Sequence, residues 1–139
     1  MYMLFFERGF VMHVIFHVDL NAFYVSCELI RHPELRGRPV VIAHDSKRSV
    51  VSTASYEARK LGIHSAMPLY MAKNKCADLI IIEPHFDYYH ELSSRFFEIL
   101  KKYSPYLEVA SIDEGYLDLS ERITSTHEQP YGIAEAIQR

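Results

Sequence analysis

A mixed α/β fold is what this sequence predicts, and three observations carry that reading. Segments of strand character alternate with segments of helical periodicity from residue 14 onward. The composition, 49% hydrophobic and 24% charged, is that of a chain with a packed core and excludes a disordered or collagen-like one. No internal repeat, low-complexity tract or Pro/Ser linker divides the 139 residues, a length that allows one core or a fragment of a larger machine.

Val14 to Asp19 is a β-rich run ending in a carboxylate, and Asn21 is placed to cap a helix that runs through about Ile30 and stops before Pro33. Val40–Ala43 and Val50–Thr53 read as short strands. Ser55 can cap a helix ending at Leu61, with Gly62 suited to the left-handed conformation that follows a helix. Pro68 fits the first turn of another helix, running to about Lys75. Leu79–Ile82 reads as a buried strand. Phe86, Tyr89, Phe96, Phe97, Leu100 and Tyr103 then recur at mostly helical intervals, a stripe that belongs to the core. Leu107 to Leu119 alternates as a hairpin with Asp113, Glu114 and Gly115 near its tip, and Gly132 to Arg139 reads as a helix.

The formal net charge of −3 argues against a self-sufficient DNA-binding domain. Its distribution is uneven: residues 31–60 hold seven Lys/Arg against three Asp/Glu, which leaves eight against fifteen elsewhere. Cys27 and Cys76 show no CxxC spacing and read as reduced core thiols, which favours the cytoplasm. Glu7 and Arg8 interrupt the apolar start, so neither a signal peptide nor a membrane span fits. Met12 is a second candidate start, which would make residues 1–11 an upstream extension.

Two groups of residues could do chemistry. Turns favour Asp and Gly for their own sake, so Asp113 and Glu114 at a hairpin tip are unremarkable alone. Asp19 changes that, because an acid ending an apolar strand lies where α/β proteins bind ligands. Three acids converging in one cleft repel one another unless divalent cations neutralise them, and paired metals of that kind serve phosphoryl transfer. The second group is Thr53, Tyr56, Arg59 and Lys60. Tyr56 and Arg59 share a helix face, and Thr53 lies just before the helix N-terminus, where anions are favoured; a solvated helix face is the plainer alternative.

The segments HVDLNAFYVSCE (17–28), VVSTASYEARKLGI (50–63), AMP (66–68) and SIDEGYLD (111–118) closely resemble the N-terminal part of Y-family translesion DNA polymerases, particularly the DinB or DNA polymerase IV branch. Order and separations match from about Val14 to Ser120. The resemblance implies a ferredoxin-like βαββαβ palm formed by residues 12–21 and 85–139, a small fingers insertion at 22–84, and an extension at 1–11, with the fold cut before the last palm strand. It makes Asp19, Asp113 and Glu114 the metal-binding carboxylates, with the Leu20 carbonyl as a further ligand to two Mg²⁺ ions, for which Mn²⁺ can substitute. Tyr24 falls on the steric gate that disfavours a 2′-hydroxyl. Thr53, Tyr56 and Arg59 fall on triphosphate contacts, and Ser52, Ser65 and Ala66 on a roof whose small side chains accept damaged templates.

The implied reaction is template-directed nucleotidyl transfer from a dNTP to a primer 3′-hydroxyl in DNA repair, with primer-template DNA as partner. Asn21 stands where the family commonly has an acid and Gly115 where it has alanine; neither supplies a principal ligand. The thumb, the little finger and a phosphate-contacting lysine are not among these residues, so the chain alone is expected to be inactive or very weak. A nucleotidyl cyclase-like palm and a non-catalytic metal- or nucleotide-binding fragment are the alternatives. In such a sheet the missing strand lies beside the first. Val14 to Val18 should therefore be covered either by Met3–Phe6, folded back through Glu7-Arg8-Gly9 onto Phe10–Phe16, or by an edge-to-edge homodimer.

Overall fold

The computed structural model describes residues 2–8 and 11–138. Contacts within the chain divide it into two compact units, Met1–Leu20 with His90–Arg139, and Asn21–Tyr89.

The first unit is built on a four-stranded antiparallel sheet of order β1-β2-β7-β6, comprising β1 (Tyr2–Arg8), β2 (Val11–Asp19), β6 (Leu107–Ser111) and β7 (Glu114–Asp118). Period-two alternation in β2 sends Val14, Phe16 and Val18 into the core with Leu117 and Leu119, where Phe97 and Leu100 of α4 (Phe86–Lys101) meet them. Each such side chain contributes about 1.5–3 kcal/mol on burial. The opposite face of β2 carries His13, Ile15, His17 and Asp19. The strand β1 pairs with β2 from Tyr2↔His17 to Arg8↔Val11, so the hairpin alternative is the one realised and this edge is not open to a second copy. The joint of that hairpin, Gly9-Phe10, lies outside the described residues.

Two elements of this unit depart from the sequence expectation. Ser120 to Thr126 forms a helix, α5, whose N-cap residue Leu119 has no capping side chain; Asp118 Oδ1 accepts the Ser120 N–H at 2.9 Å, and the Ser120 hydroxyl accepts the Val14 N–H at 2.8 Å. The last helix, α6, begins at Pro130 rather than Gly132 and packs Ile133 into the core.

The second unit holds a three-stranded sheet of order β4-β3-β5: β3 (Val40–Ile42) runs antiparallel to β4 (Thr53–Ala54) and parallel to β5 (Ile80–Ile82). All three residues of β3 are buried, as expected for a strand covered on both faces. One side packs Val41 with Val51, Ala54, Ala58, Ile63 and Leu69; the other packs Val40 and Ile42 with Val25 of α1 (Phe23–Arg31). The stretch Val50–Thr53 is not a strand over its length. Val50 makes a single bridge to Pro68, and Val51 exchanges backbone hydrogen bonds with Ala66 and Met67.

Helix α2 (Tyr56–Lys60) is capped as expected by Ser55, whose hydroxyl accepts the Ala58 N–H at 3.3 Å, and Gly62 adopts φ +83° after it. Helix α3 (Leu69–Lys75) has Pro68 at its cap. Asn21 does not cap α1. Ala22 takes that position in the left-handed conformation, φ 47° and ψ 48°, while the Asn21 carbonyl accepts the Ser26 hydroxyl. Neither Cys27 nor Cys76 forms a disulfide, and no described helix is long and apolar enough to cross a membrane.

Candidate functional site

The acids of the first unit meet because two strands end together. In the β2–β7 ladder Asp19 is the direct partner of Glu114, and the next residue, Leu20, donates its N–H to the Asp113 carbonyl at 3.0 Å. Directly opposed residues share a face with Cβ atoms about 5 Å apart. Asp19, Leu20, Asp113 and Glu114 therefore gather at one end of one sheet. The hairpin tip is the pair Ile112-Asp113, and the buried Ser93 hydroxyl of α4 holds it by donating to the Ile112 carbonyl. A β-bulge between Val109 and Ser111 sets the register just before that tip. At Gly115 an added Cβ would come within 3.0 Å of both the Glu108 carbonyl and the Phe97 ring, so the close approach of β6 and α4 behind Glu114 suits a glycine.

The side chains are engaged with neighbours. Glu114 Oε1 lies 2.7 Å from His17 Nε2, His17 stacks on Tyr116 at 4.9 Å, and the Ser111 hydroxyl donates to Asp113 Oδ1 at 2.8 Å. Among the described residues no three His, Cys, Asp or Glu side chains are grouped closely enough to hold a metal ion. The residues nevertheless fit Mg²⁺ in kind, since two aspartates, a glutamate and a main-chain carbonyl are hard oxygen donors. Asp19 and Glu114 oppose each other across the ladder, and turning Glu114 away from His17 would bring a further carboxylate to bear.

Sequence reasoning passed over His17, Ser111 and Ser93. Period two alone would have placed His17 on the face of Asp19.

The second unit gathers the other candidates. Thr53 pairs with Ile42 across β4 and β3. The exposed Tyr56 and Arg59 share one face of α2, with the guanidinium 5.5 Å from the Tyr56 ring centroid and Arg59 Nε donating to the Ala54 carbonyl at 3.0 Å. Arg59 is thereby tied back to the strand that carries Thr53, and Lys60 is exposed beside it. With five residues, α2 offers little macrodipole, so the attraction for anions falls to the Arg59 and Lys60 side chains. Ser52, Ser65 and Ala66 come together: the Ser65 hydroxyl donates to the Ser52 carbonyl at 2.9 Å, and Ala66 holds φ 67°, a left-handed conformation that costs about 1–2 kcal/mol. Tyr24, half-buried on α1, stacks on Tyr89 with centroids 4.7 Å apart and meets the edge of Phe86 at 5.8 Å.

Residues 18–139 match the profile of the impB/mucB/samB family. The chain is similar to DNA polymerase IV 1 of Halalkalibacterium halodurans, 44% identical over 128 residues that make up 91% of this chain and 30% of that protein. It is also similar to DNA polymerase IV of Neisseria meningitidis serogroup B, 45% identical over 106 residues, or 76% of this chain and 33% of that protein. Among solved structures, DinB from Sulfolobus solfataricus superposes with a TM-score of 0.83 at 32% identity, covering 88% of this chain and 36% of the other. An insertion ternary complex of Dbh DNA polymerase gives 0.82 at 33% identity, covering 88% and 37%. The chain thus spans about a third of the length of the relatives it matches.

Proposed function

The chain belongs to the impB/mucB/samB family, alongside Y-family DNA polymerases, and from that premise we propose that it supplies palm and fingers to a translesion DNA-directed DNA polymerase. The unit Met1–Leu20 with His90–Arg139 is assigned to the palm and Asn21–Tyr89 to the fingers. One observation carries the reading: Asp19 faces Glu114 while Leu20 bonds Asp113, so acids about ninety residues apart in sequence share one sheet end.

In this reading Asp19, Asp113, Glu114 and the Leu20 carbonyl would hold two Mg²⁺ ions, which would supply charge stabilisation for attack by a primer 3′-hydroxyl and for the departing pyrophosphate. The protein groups do the rest. Arg59 neutralises triphosphate charge, Tyr56 and Thr53 donate hydroxyl hydrogen bonds to it, and the Ala54 carbonyl keeps the Arg59 guanidinium aimed. Tyr24 presents a ring edge where a 2′-hydroxyl would sit. Ser52, Ser65 and Ala66 bring little bulk, which leaves room for a damaged template base. Primer-template DNA and a dNTP are the partners. The unpaired thiols suit a reducing compartment, and the cytoplasm is the proposed location.

Titration with a fluorescent dATP analogue tests the fingers assignment. Arg59→Ala should weaken binding about tenfold, the loss of one charge-assisted contact of about 1.4 kcal/mol; unchanged affinity contradicts it. These 139 residues alone are expected to bind nucleotide without extending a primer at a useful rate, because misplacing the 3′-hydroxyl by about 1 Å costs about a hundredfold. Templated extension that Asp113→Ala abolishes would show that palm and fingers suffice.

A further inference from the structure

Glu28 is the most conspicuous side chain that the proposed chemistry leaves unused. It lies on α1, its side chain is 0% exposed, and it belongs wholly to the Asn21–Tyr89 unit. Its Oε1 accepts the Tyr89 hydroxyl at 2.7 Å and lies 2.6 Å from His85 Nδ1. Its Oε2 is buried with no hydrogen-bond partner. Leaving a carboxylate oxygen unsatisfied away from water costs free energy, and an apolar side chain of the same size would avoid that cost. Stability alone therefore does not account for Glu28, and such an orphan calls for another explanation.

The geometry supplies one. Tyr89 is fully buried and its ring is the platform on which Tyr24 stacks, nearly parallel at 19°, while Phe86 meets both rings edge-on. Two stacked rings held by dispersion alone can slide and flip, because offset geometries differ little in energy. A hydrogen bond from the hydroxyl of one ring to a buried, immobile carboxylate removes that freedom. Burial and the bond to Glu28 both raise the Tyr89 pKa, so the phenol keeps the proton it donates.

We infer that Glu28 is a positioning residue that sets sugar selectivity: by anchoring the Tyr89 hydroxyl it fixes the platform against which Tyr24 is held, and so fixes how firmly Tyr24 excludes a 2′-hydroxyl. The inference rests on the reading of Tyr24 as the ring that faces the nucleotide sugar. Glu28 touches no nucleotide in this scheme and acts through two rings.

The test compares Kd values for ATP and dATP, with Mn²⁺ present, across four variants of the chain, together with Tyr24 ring-flip rates by NMR and melting temperatures. The double variant Glu28→Met/Tyr89→Phe removes the hydrogen bond and the orphan together while keeping the ring; His85, its side chain 46% exposed, turns to water. It should melt no lower than wild type, flip Tyr24 faster, and lose about fivefold in the ATP-to-dATP ratio, through tighter ATP binding rather than weaker dATP binding. Glu28→Gln, which keeps an acceptor for Tyr89, should retain the wild-type ratio, whereas Glu28→Ala should not. Tyr24→Ala should erase the ratio.

A Tyr24→Ala ratio equal to wild type, or a wild-type chain that binds neither nucleotide, overturns the sugar-facing reading, and the ring-flip rates then decide the positioning claim alone. If Tyr24→Ala erases selectivity while the double variant keeps both selectivity and slow flips, the role of Glu28 is overturned and that of Tyr24 stands. A double variant that melts well below wild type also overturns it, because Glu28 would then be structural.

Discussion

Cys27 shows how burial on α1 reaches into solution behaviour. Burial, and then the adjacent Glu28 charge, push its thiol from about 9 up to about 12, and Tyr89 is raised from about 10 by burial and then by its hydrogen bond to Glu28. The folded chain therefore holds protons between pH 9 and 12 that the unfolded chain releases. Stability contributed by these groups is complete below pH 9 and is lost as pH rises through that window. Urea midpoints at pH 8 and pH 10 check this, and a midpoint that does not fall would contradict it. Single residues were legible in the sequence where chemistry and position coincide. Asp19 stands out as an acid ending an apolar strand, and Ser55 as a hydroxyl before a helix. Glu28 was hidden, since its partners lie 57 and 61 residues further on and nothing in VSCELI separates an inward acid from a solvated one.

Among the elements, the joint between β3, β4 and α2 turns on one hydroxyl. Ser55 is buried, accepts from the Ala58 and Val40 N–H groups at 3.3 and 2.9 Å, and donates to the Arg38 carbonyl at 3.2 Å. Ser55→Ala removes the cap and strands the Val40 N–H, so it should cost about 2 kcal/mol, read as a lower urea midpoint. Retention of the wild-type midpoint would mean that water replaces the hydroxyl. This region was legible through Ser55 and Gly62, which announce the start and end of α2. Val50–Thr53 misled because three β-branched residues in a stretch of four look like a strand, whereas Val51 bonds to the Ala66–Met67 turn, whose pairing depends on chain distant in sequence. The bulge at Val109/Ser111 was invisible for a related reason: alternation continues across it, and only the ladder shows the extra residue. Helix α5 starts after Leu119, which has no capping side chain; its first N–H is met instead by Asp118 one residue earlier, and its first hydroxyl is committed to β2.

For the molecule as a whole, sheet order β1-β2-β7-β6 makes the N-terminal segment a structural part of the first unit. The order of palm strands could be inferred only through the resemblance, because periodicity does not say which strand lies beside which. The need to cover the β2 edge followed directly from that order. Removing residues 1–10 bares the unpaired N–H and C=O groups of β2, so the shortened chain should elute as a dimer or larger species where the intact chain elutes as a monomer. A monomeric shortened chain would show that the edge is blunted by other means. The acids at the joined ends of β2 and β7 are the centre of the proposed chemistry, and Mn²⁺ addresses them directly. At about ten times its dissociation constant, the ion should add about 1.4 kcal/mol of stability and raise the melting temperature of wild type by a few degrees. Asp113→Ala should abolish the rise; an equal rise in wild type and Asp113→Ala would contradict the assignment of these carboxylates as the metal site.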